Sequence, residues 1–164
     1  MTFSTPMPIA RAAATRAVKN RNSKALGHKK MPQKLRDRDP LIESCRFAER
    51  KDARLPGFGR QLYHFVLPLF SSASDERKRL IRAACLLHDV SWRAHPDYRH
   101  EACFDYVTRA SMGGLTHPQR IFLGLALLHR YKNSRSGTHF EHLLGLLSEE
   151  ELHQAEVLGK AMRF

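Results

Sequence analysis

The stretch THPQRIFLGLALLHRYK, residues 116–132, decides the fold that this sequence predicts. Thr116 followed by Gln119 forms a capping box, and Pro118 suits the first turn of a helix. The residues that come next are apolar on most sides of a helix, which is typical of an element buried among others. We therefore predict a central helix in this stretch, with the remaining elements packed around it.

Helical patterns continue on both sides of this central segment. Asp39 and Pro40 open one helix, Ser74 with two acids after it opens another, and SEEE at 148–151 is a second capping box. Neither the strict alternation of a half-buried strand nor an Asn-Gly hairpin turn occurs. The sequence thus predicts an all-α fold, which we expect to be an HD-like helical bundle.

A His-Asp pair, His88 and Asp89, follows an apolar helical stripe that includes Leu80, Ala84 and Leu87. One interpretation is a metal site, because imidazole nitrogen and carboxylate oxygen together suit a divalent ion such as Mg or Mn. The other is a buried histidine satisfied by a backbone carbonyl, with the aspartate capping the next turn. A metal site needs at least one more ligand from elsewhere in the chain.

Basic and imidazole side chains gather in two segments of the sequence. Arginine binds phosphate with two parallel hydrogen bonds, so these segments indicate a site for phosphate or another polyanion. The alternative is that the charges only match the dipoles of nearby helix ends. If the helices run antiparallel, both segments line one opening. The candidate residues are Arg93, His95, Arg99 and His100 in the first segment and His129, Arg130 and Lys132 in the second.

The formal net charge of +12 is concentrated at the start of the chain. Residues 1–38 hold ten Lys and Arg against one acid, Asp37, while the remainder is nearly balanced. Residues 1–30 contain few large apolar side chains, so we expect a basic, disordered extension before a helical domain at 31–164. Such an extension predicts nucleic acid as a further partner, and its composition is also similar to that of a transit peptide.

Two observations bear on the compartment. No run of about 18 apolar residues occurs, so no membrane span is expected. The three cysteines at 45, 85 and 103 lie among apolar or helical neighbours. Their number and spacing favour reduced thiols in a cytoplasmic protein over disulfides or a zinc site.

Three blocks of the sequence carry a family resemblance: DPLIESCRFAERKDARLPGFG, RLIRAACLLHDVSWRAHPDYR and GGLTHPQRIFLGLALLHRYKN. From about Met31 to the end, the chain resembles the C-terminal helical domain of the exopolyphosphatase and guanosine pentaphosphatase (Ppx/GppA) family. The resemblance implies an HD-like domain that follows two actin-like catalytic domains, helps to dimerise and extends a basic path for inorganic polyphosphate. The catalytic domains are absent from this sequence, so we expect no hydrolysis by the family mechanism.

A wider similarity links the chain to HD-domain metal phosphohydrolases, whose pattern is a first His, the HD pair and a later Asp. His88 and Asp89 match the pair, and His64 is the available first histidine. Where the later Asp is expected, the sequence has His129, Arg130 and Tyr131. Only half of the metal-binding pattern is therefore present.

The first expectation for function is a non-catalytic module that binds polyphosphate or another polyanion and forms a homodimer or joins a separate catalytic chain. The alternatives are a small HD-type metal-dependent phosphohydrolase and a truncated, inactive family member. Truncation is suggested by the last helix, whose apolar face we expect to lack its natural cover. That face consists of Leu152, Ala155, Leu158 and Met162.

Overall fold

Short polar side chains set where the helices of this protein begin. The computed structural model describes residues 37–163. Asp39 caps the first helix by accepting a 2.9 Å hydrogen bond from the backbone N–H of Leu41. Thr116 and Ser148 each form the capping box that the sequence predicts. Because these caps satisfy helix amides that have no intrahelical partner, they fix the starting points of the elements that carry the candidate site.

Regular structure within residues 37–163 is helical and includes no strand, which confirms the all-α prediction. The second α-helix ends before Pro68, because proline cannot donate the next backbone hydrogen bond, and the chain continues as a 3-10 turn. The helices are α1 (Pro40–Asp52), α2 (Phe58–Val66), α3 (Asp75–Leu86), α4 (Arg99–Arg109), α5 (His117–Tyr131) and α6 (Glu149–Ala161), with 3-10 turns at Leu67–Phe70, Pro96–Tyr98 and Glu141–Leu146.

Helix α5 is the centre of the bundle, as its sequence predicts. It packs against α4, α6 and α3, while α3 also contacts α1 and α2. Each residue from 121 to 129 is buried. The residues from Asp39 onward form one compact unit. The predicted basic extension at 1–30 lies outside the described residues.

The apolar face of α6 has a partner in the structure. Leu152, Ala155, Leu158 and Met162 are at most 6% exposed, and α6 packs closely on α5. The close approach depends on Gly159, where an added Cβ would lie 2.4 Å from the carbonyl oxygen of Ala126. The expectation that this face lacks cover is therefore wrong, because α5 covers it.

The three cysteines are free thiols inside the core. Cys45, Cys85 and Cys103 lie on α1, α3 and α4 and are at most 1% exposed. Burial raises the pKa of each thiol to about 12, because a thiolate would lose its hydration there. No helix within residues 37–163 is both long and apolar enough to cross a bilayer.

Candidate functional site

The His-Asp pair sits in the turn that follows α3. His88 and Asp89 are both buried, at 4% and 2% exposure. The Nδ1 atom of His88 lies 2.8 Å from the carbonyl oxygen of Cys85. Since a carbonyl can only accept, we assign Nδ1 as the donor. Burial and the nearby charge of Arg130 lower the pKa of His88, which favours the neutral imidazole.

Asp89 is held by Arg54, which follows α1. Its Oδ2 accepts hydrogen bonds from the backbone N–H of Arg54 at 3.0 Å and from Nε at 2.9 Å, and its Oδ1 accepts from Nη2 at 2.8 Å. Burial by itself would raise the pKa of Asp89, but these hydrogen bonds and the guanidinium charge outweigh it and lower the pKa. Both carboxylate oxygens are therefore occupied by one arginine.

The donor set around this pair does not fit Mg or Mn. These ions prefer several oxygen ligands, whereas this turn offers one imidazole and one carboxylate that already has a counter-charge. His64, the predicted first histidine, is exposed on α2. In the described part of the chain, no group of three or more His, Cys, Asp or Glu side chains is arranged to hold a metal.

Two of the predicted phosphate-binding residues, Arg99 and Arg130, meet at the ring of Tyr131. The guanidinium carbons of Arg99 and Arg130 each lie 5.6 Å from the centre of that ring. Lys132 is close enough to His100 that, together with burial, it lowers the pKa of the imidazole. The end of α5 thus lies beside the start of α4, so the two helices run antiparallel here.

Arg93 and His95 lie in the segment between α3 and α4. The guanidinium carbon of Arg93 lies 4.7 Å from the ring centre of Trp92, and that of Arg54 lies 5.8 Å from the same ring. The Arg93 Nη1 atom is 3.9 Å from an oxygen of Asp52. His95 is exposed, with Nδ1 3.5 Å from a carboxylate oxygen of Asp97.

His129 does not join the other candidates. It is 1% exposed, and its Nδ1 lies 3.3 Å from the carbonyl oxygen of Lys132. A Cβ on Gly159 would come within 2.4 Å of the His129 Cβ, so this histidine faces α6 rather than solvent. One residue advances the direction around a helix by about 100°, which separates His129 from Arg130.

Three residues of this region were not predicted from the sequence: Arg54, Trp92 and Tyr131. Tyr131 donates a 3.2 Å hydrogen bond from its hydroxyl to the carbonyl of His88, which ties the two aromatic rings to the same turn. The sequence did contain a signal for the two rings: an aromatic residue lies next to an arginine in Trp92–Arg93 and in Arg130–Tyr131. Arg54 had no such signal, because it lies 35 residues from Asp89 in the chain. We call this surface the aromatic–cation face; it consists of Arg54, Trp92, Arg93, Arg99, Arg130, Tyr131 and Lys132.

The comparison with protein families agrees with this architecture. The family model described as Exopolyphosphatase, C-terminal, matches residues 52–164, which include the turn and both segments of the aromatic–cation face. Most of α1 precedes the matched range. Among curated proteins, none matches the sequence significantly. The chain belongs to the exopolyphosphatase C-terminal domain family.

Proposed function

We propose that this domain is a non-catalytic module that binds inorganic polyphosphate, or a similarly extended polyanion, on the aromatic–cation face. One observation carries the proposal: two guanidinium groups of this face are held by backbone carbonyls rather than by acids. Arg99 donates to the carbonyl of Ala94 at 3.3 and 3.1 Å, and Arg130 donates to the carbonyl of Met162.

A carbonyl partner differs from a carboxylate partner in its electrostatic effect. Both fix the direction of a guanidinium group, but the carbonyl leaves its full positive charge uncompensated. Arg130 is also half-buried, and its charge lowers the pKa of His88. The face therefore holds cations in fixed positions against aromatic rings, which suits a ligand with many phosphate groups.

Two acidic side chains lie at the edges of the aromatic–cation face. Asp52 lies 3.9 Å from Arg93, and Glu101 lies 3.8 Å from the Nε2 atom of His100. The ammonium group of Lys132, by contrast, makes no hydrogen bond or salt bridge within the described residues. We expect the polyanion to follow the arginines and Lys132 and to avoid Glu101, because like charges repel over a few ångströms.

The proposed function also includes association with a second chain. Members of this family are expected to pair their C-terminal domains, and we propose that this chain forms a homodimer or joins a separate catalytic chain. A metal-dependent phosphohydrolase is not favoured, because Arg54 occupies both oxygens of Asp89.

The test is binding of long-chain polyphosphate to the full chain across a salt series. The variant Arg93→Gln with Lys132→Gln should weaken binding by about tenfold at low salt, since two phosphate contacts are lost. The plot of log association constant against log salt concentration should become less steep by about 1.5. The matched control, Arg109→Gln with Lys160→Gln, removes the same charge from two residues that pair with acids on their own helices.

Equal losses in the variant and in the control would contradict the proposed site. A second comparison replaces Lys29 and Lys30 in the basic extension with glutamine. If only that replacement abolishes binding, the extension is the polyanion site, and nucleic acid becomes the partner to test.

A further inference from the structure

A second basic surface lies apart from the aromatic–cation face. It is a groove of about 600 Å³ formed by α1, α2, the loop between them and α3. We call it the arginine groove. Its lining consists of Arg46, Glu49, Arg50, Gly57, Gly59, Arg60, Tyr63, His64, Arg82 and Leu86.

Charge in this groove is strongly unbalanced. Four arginines line it, and the acid among its lining residues is Glu49. Arg46 pairs with Glu43 on its own helix. Within the described residues, the side chains of Arg50, Arg60 and Arg82 make no hydrogen bond and no salt bridge. Because the three come from different helices, the fold itself brings their charges to one concave space.

Glu49 forms no salt bridge with these arginines, because its carboxylate accepts hydrogen bonds from backbone amides instead. It is 6% exposed, and its Oε1 accepts hydrogen bonds from the backbone N–H groups of Gly57 at 3.1 Å and Gly59 at 2.8 Å. This carboxylate therefore caps the start of α2 from within the protein. A ligand in the groove has to be bound by the side chains, since Glu49 already occupies the helix terminus.

The side chains that line the arginine groove indicate which class of ligand it binds. Like charges gathered without partners destabilise each other, and a multivalent anion removes that repulsion. Guanidinium groups bind phosphate oxygens in pairs, and the phenol of Tyr63 is a further donor. The ring of Tyr63 is half-buried beside that of His64, at 5.8 Å between centres, so it offers no open platform for stacking a nucleic acid base.

We propose that the arginine groove is a separate binding site for a short inorganic oligophosphate. The proposal does not depend on the aromatic–cation face, because the two surfaces share no residue. It assigns Arg50, Arg60 and Arg82 as the phosphate-binding side chains, with Arg46 beside them. The groove is a compact site with a limited volume, whereas a long polyphosphate chain extends well beyond it.

The experiment is calorimetric titration of the full chain with tripolyphosphate. Arg60→Gln with Arg82→Gln is expected to weaken binding at least tenfold, while the control Arg109→Gln with Lys160→Gln changes it less than twofold. Since Arg60 and Arg82 have no partner in the described structure, the variant should keep the melting temperature of the parent chain. The Nε–H signals of these arginines, followed by nuclear magnetic resonance, should shift on addition of tripolyphosphate.

The outcomes separate the two proposals. Equal binding by the groove variant and its control, or no binding by the parent chain, overturns the groove site while leaving the long-chain face intact. Tighter binding of a charge-matched single-stranded oligonucleotide, lost in the groove variant, overturns the ligand class. If Arg93→Gln with Lys132→Gln retains both tripolyphosphate and long-chain binding, the groove proposal stands and the aromatic–cation face fails.

Discussion

The aromatic–cation face and the arginine groove use the same side chain in opposite ways. On the face, Arg54 is fixed by Asp89, and Arg99 is fixed by a carbonyl. In the groove, Arg50, Arg60 and Arg82 have no such partners among the described residues. A fixed guanidinium has lost its rotational freedom during folding, whereas a free one loses it when ligand binds. We infer that arginines on the face contribute to both stability and binding, and arginines in the groove to binding alone.

The largest expected effect comes from removing the counter-charge of the buried carboxylate of Asp89. Arg54→Ala should lower the free energy of unfolding by about 2 kcal/mol, because it leaves that carboxylate without its hydrogen-bond donors, although the exposed side of Arg54 already contacts water. Urea denaturation at pH 7 measures this change. Arg60→Ala in the groove is the matched control, and its effect should stay within about 0.5 kcal/mol, as for other surface substitutions.

A double substitution sharpens this prediction. Asp89→Asn added to Arg54→Ala should recover part of the lost stability, since the uncompensated charge is then removed. Equal destabilisation by Arg54→Ala and Arg60→Ala would contradict the distinction between fixed and free arginines.

A smaller effect on stability is expected when the pH is lowered. Burial lowers the pKa of His88, His100 and His129 below the ordinary value. The unfolded chain, with histidine pKa values of about 6.5, then binds more protons than the folded one. The stabilisation is fully present above that pH, and we expect stability to fall as the pH drops below it.

Urea denaturation at pH 7, 6 and 5 measures this dependence, and imidazole proton shifts assign it to individual histidines. Carboxylates with lowered pKa values, such as Asp89, change the stability only at lower pH, because carboxyl groups in the unfolded chain have pKa values of about 4. Stability that stays constant between pH 7 and 5 would show that the buried histidines accept protons without cost.

The smallest effect tests the ring of Tyr131 apart from its hydroxyl. Tyr131→Phe should cost about 1 kcal/mol of stability, because the hydrogen bond to the carbonyl of His88 is lost. Binding of long-chain polyphosphate should be unchanged, since the ring still lies beside Arg99 and Arg130. Tyr131→Leu should weaken that binding, and equal affinities for the two variants would contradict a role for the ring.

Local signals in the sequence were sufficient for the helices and for the central position of α5. The caps at Asp39, Thr116 and Ser148 act over three residues, so a short stretch of sequence contains them completely. Continuous apolar residues predicted the burial of α5 for a similar reason. The prediction for α6 was wrong because it required knowing that Gly159 lets α5 approach closely.

The candidate site was less predictable because it is built from distant segments. The sequence grouped His129 with Arg130, but the rotation of about 100° between them buries His129 against α6 and brings Arg130 to the ring of Tyr131. It gave no indication of Arg54, whose partner lies far along the chain. The arginine groove takes its cations from three helices, and no spacing pattern connects Arg50, Arg60 and Arg82.

The buried cysteines give this protein built-in reporters of its own motion. Cys45, Cys85 and Cys103 sit on three different helices, and only a thiolate reacts readily with alkylating or disulfide reagents. With each pKa near 12 and each side chain enclosed, modification has to wait until the helix around it opens. The rate of labelling at each cysteine therefore reports how often α1, α3 or α4 opens, and no cysteine has to be introduced to measure it.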